Sequence, residues 1–471
     1  MSLETLTIDA YQLTTLLAHA DAGRLAQTVE MSFFFRKLPS HRGYVLACGQ
    51  RGIVEHARQM RVTPEELGVL MTHPTIGPRL RERPAVRAAL AAVDGFVGEI
   101  DAVPEGTPMF AGPGHRSDGK PLLVEGRPVV LYAPLLRLRT SLPLAKIIET
   151  PWLQRINHQS MVASKASRVV EAARGKPVLE LGARRTQTSA SLDAAWAASV
   201  AGTSGTSNIA AWMRFGIPAV GTMDHFYIQA AEQHGVSVVD SERRAFAEFD
   251  RVYGKEAVYL VDTYDTLRGI RNAAAASEGR MAGIRIDSNV TPATIAAARA
   301  LLAQLGCAHA RIIVSDGLDE DRVAKLEDAD GFGIGEQITC SPDAATGVGA
   351  VAKLTVNGYG RPTMKLARGS GKMTLPGRIA AYRYADHDLV ALDEEAPPAG
   401  GRALLAPLWR GQSPVEILDA RTALERAQRT AKIEREALPA HVRRLDEPAA
   451  WPMVASDALV DLIAARVREA A

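Results

Sequence analysis

Residues suited to gripping an anion recur along the middle of this chain. Arg184 and Arg185 follow the apolar run Pro177-Val178-Leu179-Glu180-Leu181. The small-residue loop Gly202-Thr203-Ser204-Gly205-Thr206-Ser207-Asn208 comes next, and His225 stands just past Pro218-Ala219-Val220-Gly221-Thr222. Guanidinium forks hold phosphate or carboxylate at two points. Two arginines, a polar glycine-bearing loop and a histidine after consecutive strands suggest an enzyme of the barrel type acting on a sugar phosphate. Each has a plainer reading: the arginines as surface ion-pair partners, and His225 as a hydrogen-bonded histidine without a catalytic task.

Further along, chemistry-bearing residues again follow short apolar runs: Asp262-Thr263, Arg285 with Asp287, Ser315-Asp316, and Gly333-Ile334-Gly335. The aspartates could cap the helices that follow them, or hold Mg2+ through water and bind sugar hydroxyls, since hard oxygen ligands suit that ion. Glycines such as Gly335 let backbone N–H groups approach a phosphate, or simply make a tight turn. Neither a Gly-x-x-x-x-Gly-Lys-Ser/Thr loop nor a Gly-x-Gly-x-x-Gly opening a helix is present, which disfavours nucleotide binding by those devices. Nearer the N-terminus, Tyr11 and Arg36-Lys37 become of interest only where their domain covers a barrel mouth.

These residues need parallel strands to bring them to one end. The pattern predicts strands at 178–181, 219–222, 258–262, 283–287, 311–315 and 331–335, with helices between most of them. The clearest helix runs from Pro292 to Leu305, with Thr291 as cap and Gly306 as stop, and a second runs from Glu320 to Glu327. Such alternation implies a partial or full β/α barrel, with a doubly wound open sheet as the rival. Active sites of β/α barrels lie at the C-terminal ends of the strands.

Before this region, Asp9 is placed to cap a helix through Ala20, and strands are expected over 28–35 and 43–49. Helical segments extend from Ile53 to about Ile100, broken at Pro64, Pro74 and Pro84. A small β-rich insert spans 103–139, with a turn at Asp118-Gly119, and a helix covers 141–175. After 346, short strands punctuated by Gly and Pro run from Gly347 to Gly377. The stretch from Asp393 through Pro397-Pro398 to Gly400 reads as a surface loop, and helices cover 416–437 and 455–470. The expected architecture is therefore α/β: an irregular β/α barrel (146–345), an N-terminal α/β domain with a β-rich insert (1–145), and a C-terminal segment (346–471) that returns to the N-terminal domain.

Composition narrows the classes. A chain of 471 residues, 47% hydrophobic and 23% charged, has length for two or more domains. Lys+Arg 55 against Asp+Glu 53 gives a net charge of +2, which argues against a wide nucleic-acid surface. Cys48, Cys307 and Cys340 are far apart, so neither a disulfide framework nor a structural zinc site is expected. Met1-Ser2-Leu3-Glu4 begins without a basic or apolar leader, and no apolar run approaches the roughly 20 residues of a membrane span. A cytoplasmic protein without a membrane partner is the expectation.

In order along the chain, several segments resemble nicotinate phosphoribosyltransferases: Asp9-Ala10-Tyr11-Gln12-Leu13-Thr14, Phe34-Phe35-Arg36-Lys37-Leu38-Pro39, Gly205-Thr206-Ser207-Asn208 and Gly221-Thr222-Met223-Asp224-His225. Val261-Asp262-Thr263-Tyr264-Asp265-Thr266-Leu267-Arg268-Gly269, Arg285-Ile286-Asp287-Ser288, Gly333-Ile334-Gly335 and Gly371-Lys372-Met373-Thr374-Leu375-Pro376-Gly377 continue the series. The resemblance covers roughly residues 8 to 410. It implies an irregular β/α barrel joined to an N-terminal α/β domain, in a homodimer with shared sites. The implied reaction joins nicotinate to phosphoribosyl pyrophosphate, with Mg2+ and with ATP hydrolysed through a transient phosphohistidine.

On that resemblance His225 is the phosphorylated histidine. Arg36, reaching in from a partner subunit, and Arg184 bind phosphoribosyl pyrophosphate. Arg285 and Asp287 lie beside ribose and pyrophosphate, Tyr11 stacks on the pyridine ring, and Ser207 is a neutral position suited to a carboxylate substrate. Asp316 and Gly335 complete the set of substrate-binding candidates. The chain departs from the family pattern at Leu181, where phenylalanine is usual, at Asn289-Val290 in place of Gly-Asp, at Glu336 in place of a small residue, and in the order Ser315-Asp316-Gly317. These changes leave two alternatives open: a changed heteroaromatic acceptor, or a non-catalytic nucleotide-binding relative.

Overall fold

The computed structural model describes residues 4–344, 349–368, 372–396 and 399–470. The chain forms two compact units, Met1–Met161 with Thr346–Ala471, and Val162–Ala345. The border falls within the 31-residue helix Leu142–Ala172. Met1, Ser2 and Leu3 of the N-terminal segment, Gly347 and Gly371 of the glycine-punctuated stretch, and Pro397-Pro398 of the expected loop lie outside the described residues.

The unit Val162–Ala345 is built on six parallel strands. They are β1 (Val178–Glu180), β2 (Gly205–Thr206), β3 (Val258–Leu260), β4 (Gly283–Ile286), β5 (Arg311–Val314) and β6 (Gly331–Ile334), in the spatial order β2-β1-β6-β5-β4-β3. Because the strands are parallel, all their C-terminal ends fall on one edge. Side chains such as Ile284, Ile286, Ile312, Val314 and Ile334 are wholly buried, as both faces of a parallel sheet require. The segment Ala219–Thr222, expected as a strand, instead makes a single bridge, Thr206 to Ala219. Its partner β2 is two residues long before Asn208 caps the next helix, so no longer ladder can form.

Intervening helices start where side chains satisfy free backbone N–H groups. Thr291 accepts from Thr294 N at the head of Pro292–Gln304. Asp319 does the same for Glu320–Val323, shorter than the sequence suggests, and Asp224 accepts from Tyr227 N at the head of His225–Ala230. Glu320, the first residue of its helix, lies between Lys165 Nζ (2.6 Å) and Arg168 Nε (2.7 Å). Burial alone would raise the Glu320 carboxyl, but the two cations outweigh it and hold it below the usual range.

The other unit holds two larger sheets. One runs Ala350–Val356, Thr28–Phe35, Pro134–Ser141, Gly98–Ala102, Ala406–Gly411, Ser413–Pro414. The second runs Arg402–Ala403, Ile379–Arg383, Asp388–Leu392, Met453–Ala455, Ala111–His115, Val130–Tyr132. Gly98–Ala102 is thus a strand, where the sequence pattern extended helices to Ile100; it lies between two antiparallel neighbours and Ile100 is fully buried. The expected strand 43–49 reduces to Val45–Leu46. Phe33, Phe34 and Phe35 are all buried, Phe34 stacking on Tyr132 at 3.6 Å and Phe33 meeting Trp152.

Candidate active site

One edge of the six-stranded sheet collects the polar residues that follow its strands. Arg184 lies in the turn Ala183–Arg185 after β1, Ser207 after β2, Asp262 and Thr263 after β3, Asp287 after β4, Ser315 and Asp316 after β5, and Gly335 after β6. Arg285 is the third residue of β4. Arg184 and Ser207 are exposed there, and His225 is half-buried as the first residue of its helix.

Threonine hydrogen bonds hold the histidine and the arginine, and an ion pair and a hydrogen bond link the arginine to the aspartates. His225 Nδ1 lies 3.1 Å from Thr263 Oγ1, which fixes the ring on the segment after β3. Arg285 Nη1 donates to Thr222 Oγ1 at 3.2 Å, and its Nη2 is 3.8 Å from Asp287 Oδ2. Asp287 N donates to Asp262 Oδ2 at 2.8 Å, and Ser315 Oγ donates to Asp287 Oδ1 at 3.0 Å. Burial raises the Asp287 carboxyl above its usual range and Asp262 adds to this, while Arg285, Ser315 and His225 act the other way. Arg285 Nε and Asp262 Oδ1 are buried with no hydrogen-bond partner among the described residues. A buried donor and a buried acceptor of this kind are costly unless a ligand completes them.

Asp316 has protein partners. Its Oδ2 accepts from Val290 N at 3.3 Å and lies 3.4 Å from Arg322 Nη2. Asn289, with φ 52°, occupies the left-handed region that glycine and asparagine tolerate best. Val290 is buried. Glu336 Oε2 lies 3.7 Å from Arg185 Nη1, so the carboxylate after Gly335 has a cation beside it. The Leu181 side chain covers Gly333, where an added Cβ would meet Leu181 Cδ1 at 2.4 Å.

Tyr11 and Arg36 belong to the other unit. Tyr11 is half-exposed on helix Ala10–Asp21, with its hydroxyl 3.4 Å from Glu149 Oε1 and Lys146 Nζ 5.5 Å from the ring centre. Burial, then Glu149 and Asp9, raise its phenol above the ordinary value. Asp9 does not cap this helix through its side chain; Asp9 Oδ2 accepts from Thr150 Oγ1 at 2.9 Å. Arg36 follows strand Thr28–Phe35, with Nε buried and unpartnered among the described residues. In the same unit Lys146, Glu149 and Lys353 line a cavity of about 500 Å3. Burial lowers both lysines. Sequence reading overlooked these lysines, since nothing in their spacing separates them from surface lysines.

Among the described residues no group of His, Cys, Asp and Glu converges as a metal-ligand set, and no helix is long and apolar enough to cross a membrane. The model of the nicotinate phosphoribosyltransferase family matches residues 177–386, the span that carries this edge. Nicotinate phosphoribosyltransferase pncB2 of Mycobacterium tuberculosis is 34% identical over 98% of this chain and 93% of its own length. The chain belongs to the nicotinate phosphoribosyltransferase family. The human nicotinate phosphoribosyltransferase sequence is 26% identical over 97% of this chain and 96% of its own. A crystal structure of the human nicotinic acid phosphoribosyltransferase superposes with a TM-score of 0.78 at 25% identity, covering 97% of this chain and 99% of that one. A nicotinate-nucleotide pyrophosphorylase structure from Pyrococcus furiosus has a TM-score of 0.68 at 22% identity, covering 92% and 96%, and shares the fold. As a member of the nicotinate phosphoribosyltransferase family the chain is an enzyme with an α/β fold whose central feature is a half-barrel of parallel strands.

Proposed function

We propose that this chain transfers the phosphoribosyl group of phosphoribosyl pyrophosphate to nicotinate, forming nicotinate mononucleotide and pyrophosphate in pyridine nucleotide salvage. ATP hydrolysis assists through a transient phosphate on His225. The observation that carries this reading is the His225–Thr263 contact beside the linked trio Arg285, Asp287 and Asp262. In the reaction the pyridine nitrogen forms a bond to the anomeric carbon, and the bond from that carbon to the pyrophosphate oxygen breaks. Positive charge builds on the sugar as the pyrophosphate leaves. In this reading Asp287 faces the ribose and Arg285 the departing oxygens, which favours the charge-separated state over the ground state. Arg184, exposed and with no ion pair among the described residues, together with the backbone at Gly335, takes phosphate. Ser207 leaves the nicotinate carboxylate without a like charge.

Asp262 and Asp287 are hard oxygen donors, and Asp262 Oδ1 has no protein partner among the described residues, which suits Mg2+ held by few carboxylates and by substrate phosphates. Bound there, the ion would neutralise charge on pyrophosphate. We assign Tyr11 and Arg36 to the site of a second copy, in a homodimer. The exposed Trp212, Met213 and Phe226 support a partner that covers this unit. We place the enzyme in the cytoplasm.

Leu181 favours a second reading, in which another heteroaromatic acid is the preferred acceptor, because an aliphatic side chain stands where an aromatic one would stack on the ring. Incubation with phosphoribosyl pyrophosphate, Mg2+, ATP and a panel of heteroaromatic acids tests both. Nicotinate-dependent pyrophosphate release supports the first reading, faster release with another acid supports the second, and ligand binding without release from any acid contradicts both.

A further inference from the structure

Glu180, the last residue of β1, is 1% exposed and has no place in the chemistry above. Its Oε1 accepts from Gly182 N at 2.5 Å and from Thr339 Oγ1 at 2.8 Å, and its Oε2 accepts from Thr206 Oγ1 at 2.6 Å. The Glu180 carbonyl accepts from Ser207 N at 2.9 Å, and Thr206 Oγ1 in turn accepts from Asn208 N at 3.1 Å. Gly182 fits only as glycine, since an added Cβ would stand 1.8 Å from Thr339 Oγ1. One buried carboxyl therefore fastens three segments: the arginine turn after β1, the Ser207-Asn208 loop after β2 (through Thr206), and the short helix Glu336–Thr339, whose last residue Thr339 donates its N–H to the Gly335 carbonyl at 3.2 Å.

We infer that Glu180 is a positioning residue that sets the Arg184 turn, Ser207 and the Gly335 turn at one spacing, so that phosphate and acceptor bind in register. This rests on the transferase reading for its substrates, although the clamp itself is a property of the free chain. A buried carboxyl with every oxygen bonded fixes its neighbours more firmly than three independent turns would. Glutamine keeps one acceptor oxygen and replaces the other with a donor, so Glu180→Gln should break the arrangement at little change in volume.

The test pairs kinetics with hydrogen exchange. Glu180→Gln should raise the KM for phosphoribosyl pyrophosphate about tenfold, on the scale of one lost hydrogen bond to a charged group, with a smaller change in kcat. In an Arg184→Ala background the same substitution should change that KM less than about threefold, because the residue it positions is gone. Thr339→Val removes one donor and should give a weaker version of the same pattern. A purely structural role would lower thermal stability and leave the two backgrounds equally affected, which overturns the inference. Exchange at the amides of 182, 207 and 208 in the substrate-free chain should accelerate together in Glu180→Gln. Unchanged exchange overturns the clamp. Accelerated exchange in a chain that turns over no acceptor supports the clamp while the transferase reading fails, so the two failures are told apart.

Discussion

His225 Nδ1 and Thr263 Oγ1 lie 3.1 Å apart, joining the helix that begins at His225 to the segment that follows β3. The contact fixes the rotation of a half-buried imidazole beside the Arg285–Asp287 pair. The phosphoryl transfer proposed at His225 would need that orientation, and a threonine hydroxyl supplies it without adding charge.

His225→Ala should abolish the coupling of ATP hydrolysis to product while a slower basal transfer persists. Thr263→Val should keep the coupling but slow the ATP-assisted rate about tenfold, as expected for the loss of one orienting hydrogen bond. Labelled phosphate retained on the protein after exposure to radiolabelled ATP checks both variants. Full labelling of His225→Ala would assign the phosphoryl group to another residue.

Arg185 and Glu336 form a pair in which both side chains are about half-exposed. Such pairs contribute little to stability, but here the carboxylate neutralises a cation beside the Gly335 turn. Glu336→Ala should lower the KM for phosphoribosyl pyrophosphate by up to about fivefold. The gain should shrink as salt is added. A KM that rises on this substitution would show that Glu336 supports the turn instead of competing with phosphate.

Leu181 covers Gly333 with an aliphatic side chain. Leu181→Phe should offer an aromatic face and tighten nicotinate binding by about two- to tenfold, the range of one aromatic pair. The KM for nicotinate against the KM for other acids reports it. A selective loss of another acid would mark Leu181 as the residue that admits that acid.

His56 shows how burial links stability to pH. Trp152 Nε1 donates to His56 Nδ1 at 3.1 Å, and burial pushes the imidazole down to about 3 from 6.5. Between these values the unfolded chain binds a proton that the folded chain does not, so stability is complete above pH 6.5 and falls as pH drops toward 3. Over the roughly 1.5 pH units from 6.5 to 5 the loss should be about 2 kcal/mol. His56→Gln, which keeps an acceptor for Trp152 but does not titrate, should lack this component in urea unfolding. Parallel pH dependence in the two proteins would contradict it.

The sequence exposed five of the six half-barrel strands because buried parallel strands are short apolar runs, and their ends were readable because polar residues begin where burial stops; β2, Gly205–Thr206, lies in a small-residue stretch that reads as a loop and so was hidden. Gly98–Ala102 was hidden by Glu99 and Asp101, which break the apolar pattern; Asp101 is buried against Arg137, Arg378 and Arg410. The Ala219–Thr222 segment looked like a strand from its composition, yet a ladder depends on the length of the partner. Glu180 was invisible for a related reason: a carboxyl in an apolar run gives no hint that Gly182, Thr206 and Thr339, far apart in sequence, will surround it. Asp9 stood where a cap belongs, but Thr150, distant along the chain, bonds its carboxyl instead.

The most direct measurement is phosphorus NMR of the enzyme with phosphoribosyl pyrophosphate, nicotinate, Mg2+ and ATP, which follows every phosphorus-containing species in one sample. The signals of phosphoribosyl pyrophosphate should give way, one for one, to pyrophosphate and nicotinate mononucleotide, with ADP and phosphate accumulating alongside. Phosphoribosyl pyrophosphate that decays no faster than in buffer, with nicotinate left unconverted, would contradict the proposed transfer.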